Sequence, residues 1–531
     1  MKLNKESLKI DNWSNKGYEL PKFDIDEIVA NTQNNPVWVH FGGGNLFRAY
    51  HAMLAQRMLN EKGMTSGITV IEGFDQEIIE KMYRPNDNLS IAVTLKANGT
   101  VDKTVVGSIG ESCILDSNNQ KEFDRIKEIF ISPTLQLATF TITEKGYALE
   151  DSKGNTFKEV IEDYTNGPVK PVSYMGKVTS LLYERYKNGS YPIAMVSTDN
   201  CSHNGDKLKN AIEKISDQWV ENKLIEQGFI DYIHSTKVSF PLSMIDKITP
   251  RPDKSVEDML SKDGIEDLEA IITSKNTYIS KFVNAEETEY LVIEDDFPNG
   301  RPELEKVGVI FTNRETVDQV ETMKVGTCLN PLHTCLAVFG CLLGYTKISQ
   351  EMKDKDLVNL ITRLGYIEGL PVVTDPKVIN PKEFIDTCIN VRFPNPFMPD
   401  TPQRIATDTS QKLSVRYGTT LTKYIEQGLD LNSLKAIPLE FAGWIRYLMG
   451  IDDNGNTFTL SPDPLFDEVL PYVEGLNKEN VKEKVSPLLH NQNIFKYDLF
   501  EIGLADQVIE YLTDMLEGNG SIRKTIQKVI K

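Results

Sequence analysis

The chain has 531 residues, 40% of them hydrophobic and 25% charged, which sets aside disordered and fibrous classes and implies two or more domains. Lys and Arg number 58 against 77 Asp and Glu, a net charge of −19, so the basic footprint of a nucleic-acid binder is missing. The six cysteines include no Cys-x-x-Cys pair and fit neither a disulfide framework nor a structural zinc site; with a polar opening and no apolar run of membrane length, the expectation is a reduced, cytoplasmic protein with no membrane partner.

In chain order, residues 37–41 form a short apolar run ending in glycines, the pattern of a buried strand. Residues 46–60 are apolar at helical spacing. Further strand-like runs follow at 68–71, 91–95, 135–142 and 193–196. Strands alternating with helices predict an α/β fold, a Rossmann-type mostly parallel sheet domain over residues 1–300. The turn-rich run 295–301 is the expected connection. Beyond it the periodicity is helical, as at 335–343, 357–364, 434–449 and 507–516, which predicts a mainly α-helical C-terminal domain over 301–531.

The first strand leads into Phe41-Gly42-Gly43-Gly44-Asn45-Leu46, a strand, a glycine turn and a helix start. Glycines let a backbone approach a pyrophosphate, and the helix N-terminus supplies N–H donors. Phe47 stands where a third glycine is usual. The second strand ends in Ile71-Glu72-Gly73-Phe74-Asp75, and either Glu72 or Asp75 can accept from the ribose of NAD while repelling the extra phosphate of NADP. Arg48 reads equally as a phosphate contact or as part of a solvated helix face.

Residues 323–333 bring together Lys324, Asn330 and His333. Oxidising a secondary alcohol needs a base for the hydroxyl proton and donors for the developing oxyanion. A lysine, an amide and a histidine can serve as base, oxyanion donor and substrate-orienting group. The alternatives are plain: Asn330 as a helix cap before Pro331, and His333 as a satisfied core residue. Cys328, Cys335 and Cys341 read as small core residues, and no metal is expected. A nucleotide-binding sensor without catalysis is the rival reading, although a sensor needs no base.

Together with the blocks 40–49, 141–147, 197–205, 240–250, 293–302 and 392–412, this segment makes the chain resemble the polyol-specific long-chain (mannitol) dehydrogenase family over nearly its whole length. The resemblance implies metal-independent hydride transfer between NAD and a secondary alcohol of a small sugar acid or polyol. D-mannonate and D-fructuronate are the expected pair, with D-mannitol and D-fructose, or tagaturonate, as alternatives. It implies Lys324 as acid/base, Asn330 and Asn200 as oxyanion amides, and Glu321 as proton relay. It also implies substrate contacts from His333, Asp246, Arg404 and Lys412. Asn204 lies close enough to compete with Asn200. Lys324 and Asn330 stand one residue further apart than the family pattern, and a kink at Pro331 is the expected accommodation.

Overall fold

The computed structural model describes residues 1–10 and 12–530. The chain divides into two units, residues 1–96 with 100–318 and residues 97–99 with 319–531. The division falls inside a helix, at Asp318 and Gln319. The turn-rich run 295–301 instead links two strands of the first unit, Tyr290–Glu294 and Ile310–Thr312. These pair in parallel, so the chain must cross back between them.

The first unit is built on six strands: β1 (Trp38–Phe41), β2 (Ile68–Glu72), β3 (Ile109–Ile114), β4 (Leu137–Phe140), β5 (Ile193–Ser197) and β6 (Val238–Ser239). Their order is β3-β2-β1-β4-β5-β6 and every pairing is parallel. Such a sheet leaves a ligand crevice at the carboxyl ends of its strands, where the order reverses beside β1. Side chains alternate between two cores. Val39, Phe41, Ile71 and Phe140 pack with Phe123, Val178, Leu208 and Ile212, whereas Trp38, Val70 and Leu137 pack with Tyr50, Leu54 and Met58. Helix α1 (Asn204–Glu221), which follows β5, supplies Leu208 and Ile212.

The run at 91–95 is a strand, but in another sheet. Strand Ser90–Leu95 turns through a hairpin loop into Val101–Val106 and pairs with it antiparallel. A loop that short cannot make a parallel crossover, so the strand is excluded from the main sheet.

In the second unit, helix α2 (Arg314–Met323) runs through a π turn at Lys324–Cys328 into α3 (Asn330–Leu342). The whole run 314–342 has the length and hydropathy of a membrane span, yet 83% of its apolar window is buried, as in the central helix of a globular domain. Around it stand α4 (Thr409–Arg416) and α5 (Ala436–Tyr447), the latter buried at every residue. Gly443 lets the ring of Phe339 close against the α5 backbone, where a Cβ would come within 2.6 Å of it. Glu368 holds the start of α5, accepting the N–H groups of Lys435, Ala436 and Ile437 at 2.8, 2.7 and 3.0 Å. Five of the cysteines are buried and only Cys201 is partly exposed; none is paired.

Candidate active site

The carboxyl ends of β1, β2, β4 and β5 carry the residues expected to hold a dinucleotide. Gly42 has φ +105°, and a Cβ there would overlap the Thr141 carbonyl, so only glycine fits. Gly43 is clamped: its N–H donates to Glu72 Oε2 at 2.7 Å and its carbonyl accepts from the Tyr83 hydroxyl at 2.8 Å. Gly44 faces open space. From Gly44 through Asn45 to Leu46, the N–H groups of the first turn have no intrahelical partner by position. Phe47, in the place of a third glycine, stacks on His40 at 4.4 Å, and the helix makes room for it by opening with a π turn at Phe47–His51.

Three expectations change here. The Phe41 side chain is fully buried and stacks on Phe140 at 4.6 Å, which leaves only its backbone for a ligand. Arg48 is neither solvated nor aimed at a phosphate. Its guanidinium is buried and donates to Ser280 O at 2.7 Å, Ser90 Oγ at 3.2 Å and Asn45 Oδ1 at 3.0 Å, bracing the glycine turn from behind. The two acids also divide. Asp75 is buried and its carboxylate accepts from Thr273 Oγ1 at 2.5 Å. Glu72 touches that turn, and its other oxygen accepts the N–H groups of Phe74 and Asp75 at 2.8 and 3.0 Å. Burial pushes the Glu72 carboxyl up, against the downward pull of those backbone donors. Oε2 keeps a lone pair for a ribose hydroxyl. An open glycine, free first-turn donors and an adjacent acid fit a dinucleotide.

The ends of β4 and β5 are tied together by Asp199. It accepts from Ile142 N at 3.0 Å, Thr143 N at 2.8 Å and Tyr147 Oη at 2.6 Å, holding Thr143 at φ +65°. Neither Asp199 nor Tyr147 was singled out by sequence reasoning, although both lie in the blocks that carry the family resemblance. Asn200 follows and is exposed. Asn204 is buried and saturated. Its amide donates to Asp199 O and Ser243 O, both at 3.0 Å, and its oxygen accepts from Gly205 N at 2.8 Å and Ser243 N at 3.1 Å. The Asn204 side chain is therefore spent within the fold. Asp246 ends the buried strand Ser243–Asp246.

In the second unit Lys324 is buried, at 4% exposure, on the first residue of the π turn. Leu329 N–H donates to the Lys324 carbonyl at 3.1 Å, five residues back. A π turn houses one residue more than an α turn, so it absorbs the longer spacing to Asn330. Pro331 is not the means: it sits in the first turn of α3, where its missing N–H costs nothing. Glu321, half-buried, lies one turn before Lys324 on the same side of α2.

Every residue of α3 is buried except Asn330 and His333. These two share one face of the helix. Asn330 is the first residue of α3 and the cap position falls on Leu329, so the capping alternative is set aside. His333 stacks on Phe393 at 5.2 Å, and its Nε2 lies 3.5 Å from Asp400 Oδ2. Burial lowers the His333 pKa and Arg416 and Arg392 lower it further, outweighing Asp400; the neutral ring can both accept and donate. Asp400 also pairs with Arg404, which is largely exposed. Lys412 is half-buried and donates to the carbonyl of Thr407. Asp400 was not foreseen; its only signal is the four-residue spacing to Arg404. Among the described residues no group of acids, histidines and cysteines is arranged to hold a metal.

Comparison with known proteins identifies both units. Residues 36–306 match the mannitol dehydrogenase Rossmann domain, and residues 316–516 match the mannitol dehydrogenase C-terminal domain. The chain is 51% identical to the D-mannonate oxidoreductase of Thermotoga maritima, over 100% of this chain and 99% of that one. Among solved structures, a substrate-free D-sorbitol dehydrogenase has the same fold, with a TM-score of 0.81 at 23% identity over 100% of both chains. A Pseudomonas fluorescens mannitol 2-dehydrogenase, solved with NAD and D-mannitol, follows with a TM-score of 0.69 at 24% identity, over 100% of this chain and 99% of that one. The glycine turn on a doubly wound sheet, the lysine on a π turn and the matches that span both units agree: the chain belongs to the mannitol dehydrogenase family.

Proposed function

We propose that the protein is an NAD-dependent oxidoreductase that interconverts D-mannonate and D-fructuronate. The observation that carries the choice of substrate is the full-length identity of 51% to a D-mannonate oxidoreductase. NAD is supported by the glycine turn and by Glu72 beside it, where a carboxylate accepts from a ribose hydroxyl and repels a phosphate.

The chemistry falls to the residues of the π turn and α3. Lys324, in its neutral form, accepts the proton of the alcohol as the carbonyl forms, and its ammonium returns that proton in the reverse direction. A nicotinamide dinucleotide held at the glycine turn and Glu72 would supply the hydride acceptor for the carbinol carbon, and in reduced form the hydride donor for the carbonyl carbon. Asn330 donates its amide to the oxygen whose charge develops, and Asn200 is the second proposed donor. His333, neutral and held against Phe393 and Asp400, orients a substrate hydroxyl. Glu321, one turn before Lys324, relays the proton outward. Asp246 is a further proposed substrate contact. The unpaired thiols fit a reducing, cytoplasmic compartment.

Loss of NADH absorbance with purified protein tests the reading, comparing D-fructuronate, D-tagaturonate and D-fructose. A preference for D-fructuronate in kcat/KM is expected. A preference for D-fructose would replace the reading with that of a mannitol 2-dehydrogenase.

A further inference from the structure

A hexuronate differs from a neutral ketohexose at one end, where a carboxylate replaces a CH2OH group. Holding that charge in a shielded site takes a cation with unspent hydrogen-bonding capacity. Arg404 and Lys412 are the cations expected there, but Arg404 is largely exposed and already ion-paired with Asp400, and Lys412 is spent on the carbonyls of Thr407 and Ile405.

Arg416 is different. It lies one turn after Lys412 on the same face of α4 and is half-buried. Its Nη1 donates to the Thr334 hydroxyl, on the residue that follows His333. Among the described residues no carboxylate lies within ion-pair distance of its guanidinium, and Nε and Nη2 make no hydrogen bond. The neighbouring acids form no ion pair with it. Asp400 is shared by Arg404 and His333. Glu440, on α5, is fully buried and makes no ion pair with Arg416, and burial pushes its carboxyl up to about 8. A shielded guanidinium with an idle Nε–Nη2 edge has the shape and charge to receive a carboxylate side-on.

We infer that Arg416 anchors the substrate carboxylate through its Nε–H and Nη2–H edge while Nη1 stays on Thr334. The Thr334 bond ties the anchor to the helix that presents Asn330 and His333, so it sets how far the reacting carbonyl lies from the carboxylate. Arg416 is then the residue that favours sugar acids over polyols, an assignment that rests on the hexuronate reading above.

The test uses Arg416→Gln and Arg416→Lys in steady-state assays with D-fructuronate and D-fructose. The ratio of kcat/KM for the acid over the neutral ketose is expected to fall about 100-fold in the Gln variant, mostly through KM, and about 10-fold in the Lys variant, which keeps the charge and loses the fork. Binding without turnover is a second readout. With NADH present, D-mannonate should raise the melting temperature of the wild type and not that of Arg416→Gln, with D-mannitol as the neutral control. Should the Gln variant not fold, the Lys variant carries both readouts. An unchanged ratio together with an unchanged D-mannonate shift overturns the anchor. A wild type that turns over D-fructose but not D-fructuronate removes the hexuronate reading instead, and the anchor with it.

Discussion

Asn200 and Asn204 stand four residues apart, and burial separates them. Asn204 feeds four backbone groups around Ser243 and Asp199, so truncation leaves buried donors and acceptors unsatisfied. Asn204→Ala should lose about 2–4 kcal/mol of stability in urea titration, with turnover of the folded protein largely kept. Asn200→Ala should cost less stability than Asn204→Ala while kcat falls about 100-fold. Equal melting and equal kcat for both variants would refute the division. Lys324→Ala should bind NADH, seen by fluorescence, and lose about 1,000-fold in turnover; persistent turnover would remove the lysine from the chemistry. Lys324, Asn330 and His333 could be proposed from the sequence because they sit within one short segment. Asp199 and Arg416 could not. Their meaning lies in partners reached only after folding: Thr143 and Tyr147 for the first, Thr334 for the second.

At the scale of elements, the π turn after α2 is the part that reconciles this chain with its family. Deleting Val325 should let the turn close as an ordinary α turn with Asn330 and His333 still in phase with Lys324. A cooperative melt and measurable turnover are expected. Deleting Ala337 from the buried middle of α3 should abolish both, because it rotates the rest of the helix by about 100°. A Val325 deletion that fails to fold would show the turn to be indispensable. The sequence foretold strands β1, β2, β4 and β5 because burial on both faces writes them as unbroken apolar runs. Strand β3 escaped notice since Gly110, Glu111 and Ser112 dilute its pattern. The strand at Ser90–Leu95 was seen but misplaced, because sheet membership is decided by the hairpin loop that follows and not by the strand's own residues.

Across the whole molecule, a buried acid sets a pH dependence. In the unfolded chain Glu440 titrates like an ordinary glutamate, near 4.5, and burial pushes it up to about 8 in the folded chain. Between those values the folded state keeps a proton that the unfolded state has released, so stability falls as pH rises through the window and the full loss is reached above it. The effect is bounded at about 5 kcal/mol, from 1.36 kcal/mol per pKa unit. Denaturant midpoints should show Glu440→Gln matching the wild type near about pH 5 and exceeding it near about pH 9. Parallel profiles for the two proteins would place the cost elsewhere, for example at Glu351, which is also buried. The distribution of thiols gives the molecule a different kind of handle. Cys201 follows Asn200 directly and is the single cysteine of six that is not buried. Native protein should thus take up one equivalent of a maleimide dye where the unfolded chain takes six. A fluorophore attached there would sit beside the proposed oxyanion donor, and its emission would report NADH and D-mannonate arriving one at a time.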